Sequence, residues 1–527
     1  MQSVNVKPAV LPLTADPVLA VEPMVIFSQD HDPGFDWNSE TWEKVIAAVG
    51  QLVQEASTNW DDRPFVPSTD PLMLRQLFDQ PLPQQGADLD TLLANLRQVM
   101  AHSGYNGHPR WLAYITSSPD PVGVLGTFFT AAINQNNNLW RIAPAATSIE
   151  LQCIEWFKTM FDLSASWEGI FSSGGQMSNI IACAIDRQRK CPWDMRRYGV
   201  AGPDGNVGRL RIYASDQAHY CHNQAVELLG LGSDALRVVP SDDTYRMDLD
   251  QLAAMIASDR AQGDIPIAVI ATAGTVATGA IDPIAELRTL TNAADLWLHV
   301  DGAYGLPAYL LPEIALQMAA IQQADSLSFD PHKWLYSPID AGVTLVRQSG
   351  ALRQTFGFQV SYLDQNALDN CAVDLVDFTP ENSRPARATK VWLSLMAHGV
   401  ENFRQQIGRD IALANHMARY ITATPDLVLQ TPASLSIVCW RVEPAVILDR
   451  GGDQTQALNE LQLAVIEALA QRGIGFLSKA QLRDGKIALR ACIVNFRTQI
   501  ADVEAVLTAT QVVGRAIAAT IPSSRLS

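Results

Sequence analysis

A chain of 527 residues with a formal net charge of −17 and a pI near 4.9 is a poor partner for nucleic acid or an anionic membrane, since either would need a basic face. With 48% hydrophobic and 18% charged residues it can bury a large core, and its length implies two or three domains. No apolar run approaches the ~20 residues of a membrane span, and seven cysteines without a C-x-x-C pair suit reduced thiols in a cytoplasmic protein rather than a disulfide framework.

Residues 1–25, rich in Pro, Val and Ala, read as a flexible leader; lacking a basic n-region, they make a poor signal peptide. A helical segment is expected over 26–115. In "SETWEKVIAAVGQLVQEAS" Trp42, Val45, Ile46 and Val49 recur at three and four with Ser39 available as a cap, and "DLDTLLANLRQVMA" (88–101) offers a second helix. The middle changes character. Short β-prone runs at 169–173, 209–215, 266–274, 296–305 and 341–347 alternate with helical stretches. That alternation predicts a mostly parallel sheet covered by helices on both faces, in a large domain over 116–392, with ligands gathering at the carboxyl ends of the strands. Beyond Trp392 a long helical stretch and two short strands, in "LSIVCWRV" and "KIALRACIV", predict a small α/β domain over 393–527.

Four features of the middle could carry chemistry. "FSSGGQMSNIIACAIDRQRK" is a strand end, a Gly-rich turn and a helix start, whose free N–H groups and positive dipole suit a phosphate. By itself it reads better as an ordinary glycine turn, since neither G-x-G-x-x-G nor G-x-x-x-x-G-K-[ST] is matched. In "LWLHVDGAYG" Asp301 arrives at the end of a buried strand, where a carboxylate must find a cation or a donor. In "YASDQAHYCHNQAVELLG" His219, Cys221 and His222 suggest a metal, but zinc wants a complementary ligand set and none is present elsewhere. One functional histidine with two structural neighbours is the better account, and no metal is expected. The fourth is Lys333 in "DPHKWLYSPIDAG". A desolvated lysine attacks carbonyls, and a Schiff base with pyridoxal phosphate needs a phosphate cradle, an acid at the pyridine nitrogen, a ring-face partner and a strand-end location. The Gly-rich turn, Asp301, His219 and Lys333 supply all four, so jointly they specify one cofactor.

These residues resemble the group II pyridoxal-phosphate-dependent amino acid decarboxylases, most of all the aromatic-L-amino-acid decarboxylases. "SDQAH", "ATAGT", "HVDGAYG" and "PHKW" occur in the family's order, and the similarity runs from about "WEKVIAAVGQLVQ" to "LRACIVNFRT". The resemblance implies the type I (aspartate-aminotransferase-like) α/β fold, a homodimer with shared active sites, and conversion of an L-amino acid to its amine and carbon dioxide. Carried over residue by residue, it implies that Lys333 binds the cofactor covalently, Asp301 pairs with the pyridine nitrogen and His219 stacks on the ring. Thr275 and Ala303 are implied beside the cofactor, with Gly175, Gln176 and His332 on the phosphate side. Two departures stand out: Gly175-Gln176 replaces the Ser or Ala-Ser of aromatic members, and Asp330 replaces an Asn. Since a carboxylate repels phosphate, Asp330 is not expected to contact it directly. Tyr362, in "FGFQVSYL", matches the mobile-loop tyrosine that delivers the last proton, and favours simple decarboxylation over aldehyde synthesis.

For the substrate, "GHPRWLAYITS" resembles the segment lining the side-chain pocket of aromatic decarboxylases, where Trp111, Tyr114 and Ile115 could form an apolar slot or merely core. Ser383, in "NSRPARATKVW", stands where plant relatives with phenolic substrates carry serine. Tyrosine, Dopa, tryptophan or phenylalanine is therefore favoured. An acidic substrate (glutamate, aspartate or cysteine sulfinate) would need a fixed cation; Arg110, Arg141 and Arg384 keep that alternative open, and an aromatic aldehyde synthase on the same scaffold is a further one.

Overall fold

The computed structural model describes residues 36–58, 60, 63, 65, 67, 70–203, 209–358, 372–449 and 454–520. The leader expected over 1–25 and Tyr362 lie outside the described residues. Two compact units divide the chain: the described part of Met1–Ala56 with Pro83–Gln98, and Ser57–Leu82 with Val99–Ser527. The first holds most of two amphipathic helices, Ser39–Ser57 and Leu89–Ala101. Ser39 is not the cap of the former: the Asn38 side chain accepts from Thr41 N–H at 2.9 Å, so the cap falls one residue earlier.

In the second unit seven strands form one sheet: β1 Glu168–Ser172, β2 Leu210–Ser215, β3 Leu236–Val239, β4 Ile265–Thr272, β5 Trp297–Asp301, β6 Ser326–Phe329 and β7 Gly342–Val346. Their order is β1-β7-β6-β5-β4-β2-β3, with parallel pairing from β3 to β6 and β7 antiparallel to both its neighbours. Helices pack on both faces. One face buries Phe157, Phe171, Val269, Leu298 and Leu327, the other Ile181, Ile185, Ile212, Ile270 and Val346. The alternation follows from side chains one residue apart pointing to opposite faces of a strand. A four-stranded antiparallel sheet follows in the C-terminal part: β8 Leu427–Leu429, β9 Ile437–Val442, β10 Ser478–Gln481 and β11 Ile487–Cys492, in the order β10-β11-β9-β8. Its core includes Trp440, Leu461, Leu489 and Val503.

The doubly covered, mostly parallel sheet is the α/β architecture expected from the strand–helix alternation. Two of its strands carry too weak a pattern to be read in advance. β3 has four residues, and β6, "SLSF", has serines at half its positions, yet all four β6 residues are buried. Those serines stay dry because they have partners, described below.

A buried ion pair ties the loop before the long helix Ala388–Ala423 to the large sheet. Arg384 donates to Glu150 Oε1 at 2.7 Å, to Phe171 O at 2.8 Å and to Asn137 O at 3.0 Å, while Glu150 Oε1 also accepts from Phe171 N–H at 3.0 Å. Both side chains are essentially inaccessible. Removing one partner of such a pair leaves the other charge buried and unpaired. Arg384→Ala should therefore destabilise the fold by about 3–5 kcal/mol, measured by urea denaturation; a loss below about 1 kcal/mol would show that the pair is dispensable.

Candidate active site

The parallel strands point their carboxyl ends at one edge, and the residues that follow them line a cavity of about 520 Å³. β1 leads to Ser173, Gly174, Gly175 and Gln176; β2 leads to His219; β4 ends at Thr272; β5 ends at Asp301; and β6 leads to Asp330, His332 and Lys333. Residues 160 positions apart thus share one wall because strand ends, not sequence proximity, gather them.

The Gly-rich turn contributes backbone to the cavity wall. Gly174 sits at φ +151°, a conformation open essentially to glycine alone, and precedes the helix Gly175–Lys190 without a side-chain cap. A Cβ on Gly175 would lie 2.8 Å from Asp330 Oδ2 and 3.2 Å from the Ala303 Cβ. The helix's first turn thus opens onto the cavity, with the Asp330 carboxylate beside Gly175.

At the far side Asp301 is 4% exposed and densely bonded. Its Oδ2 accepts from Asn179 Nδ2 and pairs with His222 Nε2, each at 2.9 Å, and its Oδ1 accepts from the Ala303 amide at 3.0 Å. Burial alone would raise its pKa, but the His222 hydrogen bond and charge, helped by Ala303 N–H and His299, hold it well below the ordinary carboxylate range. Asp301 is thus an anion, able to stabilise a protonated ring nitrogen.

Lys333 lies between two carboxylates. Its Nζ is 3.0 Å from Asp330 Oδ2, with His332 Nε2 at 3.7 Å from the same oxygen. Burial would lower the ammonium pKa; Asp330, with a smaller contribution from Asp301, raises it above the usual lysine value. The surrounding turn is fixed on every side. Trp334 stacks on Tyr304 at 4.7 Å and donates Nε1–H to Asp410 Oδ2 at 2.9 Å, which also accepts from Tyr336 OH at 2.6 Å. Ser117 Oγ donates to His332 O at 2.8 Å, and His332 Nδ1 is 2.6 Å from Ala341 O. Burial lowers the pKa of His332, as it does that of His219, on which Lys333 also acts; neutral imidazoles result. His219 Nδ1 accepts from Cys221 N–H at 3.2 Å, leaving Nε2 to carry its proton.

The structure therefore brings together Lys333, Asp301, His219, Gly175, Gln176, Ala303, His332 and Ile115. Thr275 is off the cavity wall: its hydroxyl lies 3.0 Å from Thr278 Oγ1 and accepts from Ala280 N–H, closing a turn, while Thr272 and Gly274 line the cavity. Trp111 packs on Phe476 at 4.6 Å and donates to Thr116 Oγ1; Tyr114 is 59% exposed. Neither lines the cavity of this chain, and Ser383 is exposed. Arg384 must be withdrawn as a substrate ligand, since Glu150 and two carbonyls consume its guanidinium in the interior. Asn179 and the Asp330–Lys333 pair were not anticipated. An asparagine in a helix signals nothing until its neighbours are known. Cys221, His222 and Asp301 have ligand atoms within 4.8 Å of one another, but His222 and Asn179 already bond to Asp301, and Asn179 reaches Cys221 Sγ at 3.3 Å.

Asp330→Asn removes the charge that raises Lys333. The lysine's reaction with an added pyridoxal aldehyde should then reach half its maximal rate at a lower pH, followed by the growth of bound-cofactor absorbance in cofactor-free protein. An unmoved midpoint would mean that Asp330 does not control the amine.

Comparison with known proteins gives a consistent picture. The model of the pyridoxal-dependent decarboxylase conserved domain matches residues 71–443. An aromatic-L-amino-acid decarboxylase of Bacillus atrophaeus is 33% identical over 85% of this chain and 90% of that protein. A cysteine sulfinic acid decarboxylase of Rattus norvegicus is 29% identical over 77% of this chain and 82% of its own length. The crystal structure of mouse CSAD superposes with a TM-score of 0.85 at 25% identity, covering 91% of this chain and 99% of that one.

Proposed function

The chain belongs to the pyridoxal-dependent decarboxylase family, a pyridoxal-phosphate-dependent carboxy-lyase acting on an amino acid, and from that premise we propose that its substrate is an aromatic L-amino acid. The observation that carries this is the cavity wall. Ile115, Met177, Ile180 and Val276 line it, and among its described lining residues Lys333 is the sole lysine and arginine is absent. An acidic side chain would enter without a fixed cation to meet it, a desolvation left uncompensated; a ring suits an apolar slot. The 33% identity to an aromatic-L-amino-acid decarboxylase agrees. The similarity to cysteine sulfinic acid decarboxylase marks the acidic substrates as the competing reading.

When bound, pyridoxal phosphate supplies an aldehyde for the substrate amine and a protonated ring that draws electrons from the bond to the departing carboxylate. The chain's own residues do the rest. The first-turn amides at Gly175 and Gln176, with His332, would hold the phosphate end, and Lys333 would hold the aldehyde end. Anionic Asp301 keeps a proton on the ring nitrogen. His219, with its proton on Nε2, covers the ring face. Tyr362 delivers the proton that replaces carbon dioxide, which makes the amine rather than the aldehyde the product.

A homodimer is part of this reading. The helix Pro121–Ile133 exposes Leu125, Phe128, Phe129 and Ile133, an apolar row that a second copy would cover. No helix among the described residues is long and apolar enough to cross a membrane, and the unpaired described cysteines support a cytoplasmic location.

Purified, cofactor-loaded protein should release amine and carbon dioxide without ammonia from tyrosine, Dopa, tryptophan or phenylalanine; turnover confined to glutamate, aspartate or cysteine sulfinate would overturn the aromatic assignment. Lys333→Ala should lower turnover by on the order of 10³-fold or more and abolish the bound-cofactor absorbance. Replacing Phe128 and Phe129 together by glutamate should yield a monomer by light scattering, and an intact dimer would place the interface elsewhere.

A further inference from the structure

We propose that His222 is a positioning residue for the cofactor, acting through Asp301; this rests on the reading of Asp301 as the partner of the ring nitrogen. His219 and His222 are three residues apart on one turn, and His222 N–H donates to His219 O at 3.2 Å. That spacing separates their tasks: His219 lines the cavity, whereas His222 is fully buried and lies beneath it, against Asp301. Burying an imidazole there has one evident compensation, its Nε2 bond to Asp301 Oδ2 at 2.9 Å, because its Nδ1 has no hydrogen-bond partner. Nε2 faces the carboxylate and Nδ1 has no partner, so the ring carries a proton on Nε2 and Nε2–H donates to Asp301.

The other donor to the same oxygen is held by an equally directed chain. Trp297 Nε1–H donates to Ser326 Oγ at 2.9 Å, and Ser326 Oγ–H to His299 Nδ1 at 2.9 Å. His299 Nε2–H then donates to Asn179 Oδ1 at 2.9 Å, with Ser328 Oγ–H adding a second donor to that oxygen at 2.7 Å. The Asn179 amide can face only one way, its Nδ2 toward Asp301. Two donors thus occupy the lone pairs of Oδ2, while Oδ1 accepts the Ala303 amide at 3.0 Å and has Ser328 Oγ no nearer than 3.5 Å. The free lone pair of the carboxylate is therefore on Oδ1, and His222, together with Asn179, keeps the carboxylate from turning its other oxygen to the ring.

The experiment titrates pyridoxal phosphate into cofactor-free full-length protein and reads the dissociation constant from absorbance. His222→Leu, with His222→Met as a second apolar variant of similar volume, should weaken cofactor binding by about 10- to 100-fold, the loss of one hydrogen bond to a charged group. His222→Gln, which retains an N–H donor, should recover most of that loss. Binding unchanged in the apolar variants, or a glutamine variant as weak as they are, would overturn the proposal. Stoichiometric zinc in the purified protein would also overturn it, by reassigning His222 to a metal. Asp301→Asn is the control for the underlying reading: if it too leaves binding unchanged, the assignment of Asp301 fails; if it alone weakens binding, only the role of His222 fails.

Discussion

A carboxylate buried at the end of a strand is the constraint around which this site is organised. An unpaired charge in the interior costs several kcal/mol and escapes that cost by taking up a proton. Asp301 remains an anion because three elements bring donors to it: the helix Gly175–Lys190 through Asn179, the helix Cys221–Leu228 through His222, and its own loop through Ala303 N–H. Each donor imposes a requirement in turn. Asn179 can present its amide only if its carbonyl is satisfied, so His299 and Ser328 must stand where they do. With its Nε2–H spent on Asn179, His299 accepts at Nδ1 from the Ser326 hydroxyl; burial holds the imidazole neutral, with a pKa lowered to about 4. The polar residues of β5 and β6 are thus consequences of one charge.

A second constraint governs the lysine. A flexible amine would sample solvent, and this one is held by a short turn whose neighbours are fully engaged. Trp334 and Tyr336 both bond to Asp410, whose burial overrides those bonds and pushes its carboxyl up to about 7. Tyr304, whose ring backs Trp334, reaches the C-terminal sheet through Ser436 Oγ at 2.5 Å. The Lys333 amine is therefore referenced to both sheets of this unit.

Much of this was legible in the sequence because strand ends announce themselves. An apolar run that stops at Asp301, or a turn of glycines before an amphipathic helix, is a local pattern, and the mostly parallel sheet follows from repeating it. What escaped notice was not local. His222 is visible in the sequence but only its distance to Asp301 distinguishes it from a packing residue. β6 was missed because its serines are buried for partners on other elements. Arg384 looked available because charge is legible, whereas the Glu150 that consumes it lies 234 positions away. Thr275 sits within three residues of the cavity, yet its hydroxyl is spent on its own turn. Tyr362 lies outside the described residues, so its part stays with the resemblance.

The one reversed strand, β7, has a bearing on how the site can change over evolutionary time. It begins at Gly342, where a Cβ would fall 2.5 Å from the Cα of Gly174 and 2.8 Å from its nitrogen. Backbone meets backbone there, with no side chain able to give way. Gly174 is itself confined to glycine by its φ of +151°. Drift at either position therefore has no neutral first step: any side chain at 342 displaces the Gly-rich turn, and a compensating change at 174 is closed. Diversification of this scaffold is steered instead toward the apolar side chains of the cavity, Ile115, Ile180 and Val276 among them, while the backbone of the Gly-rich turn is frozen.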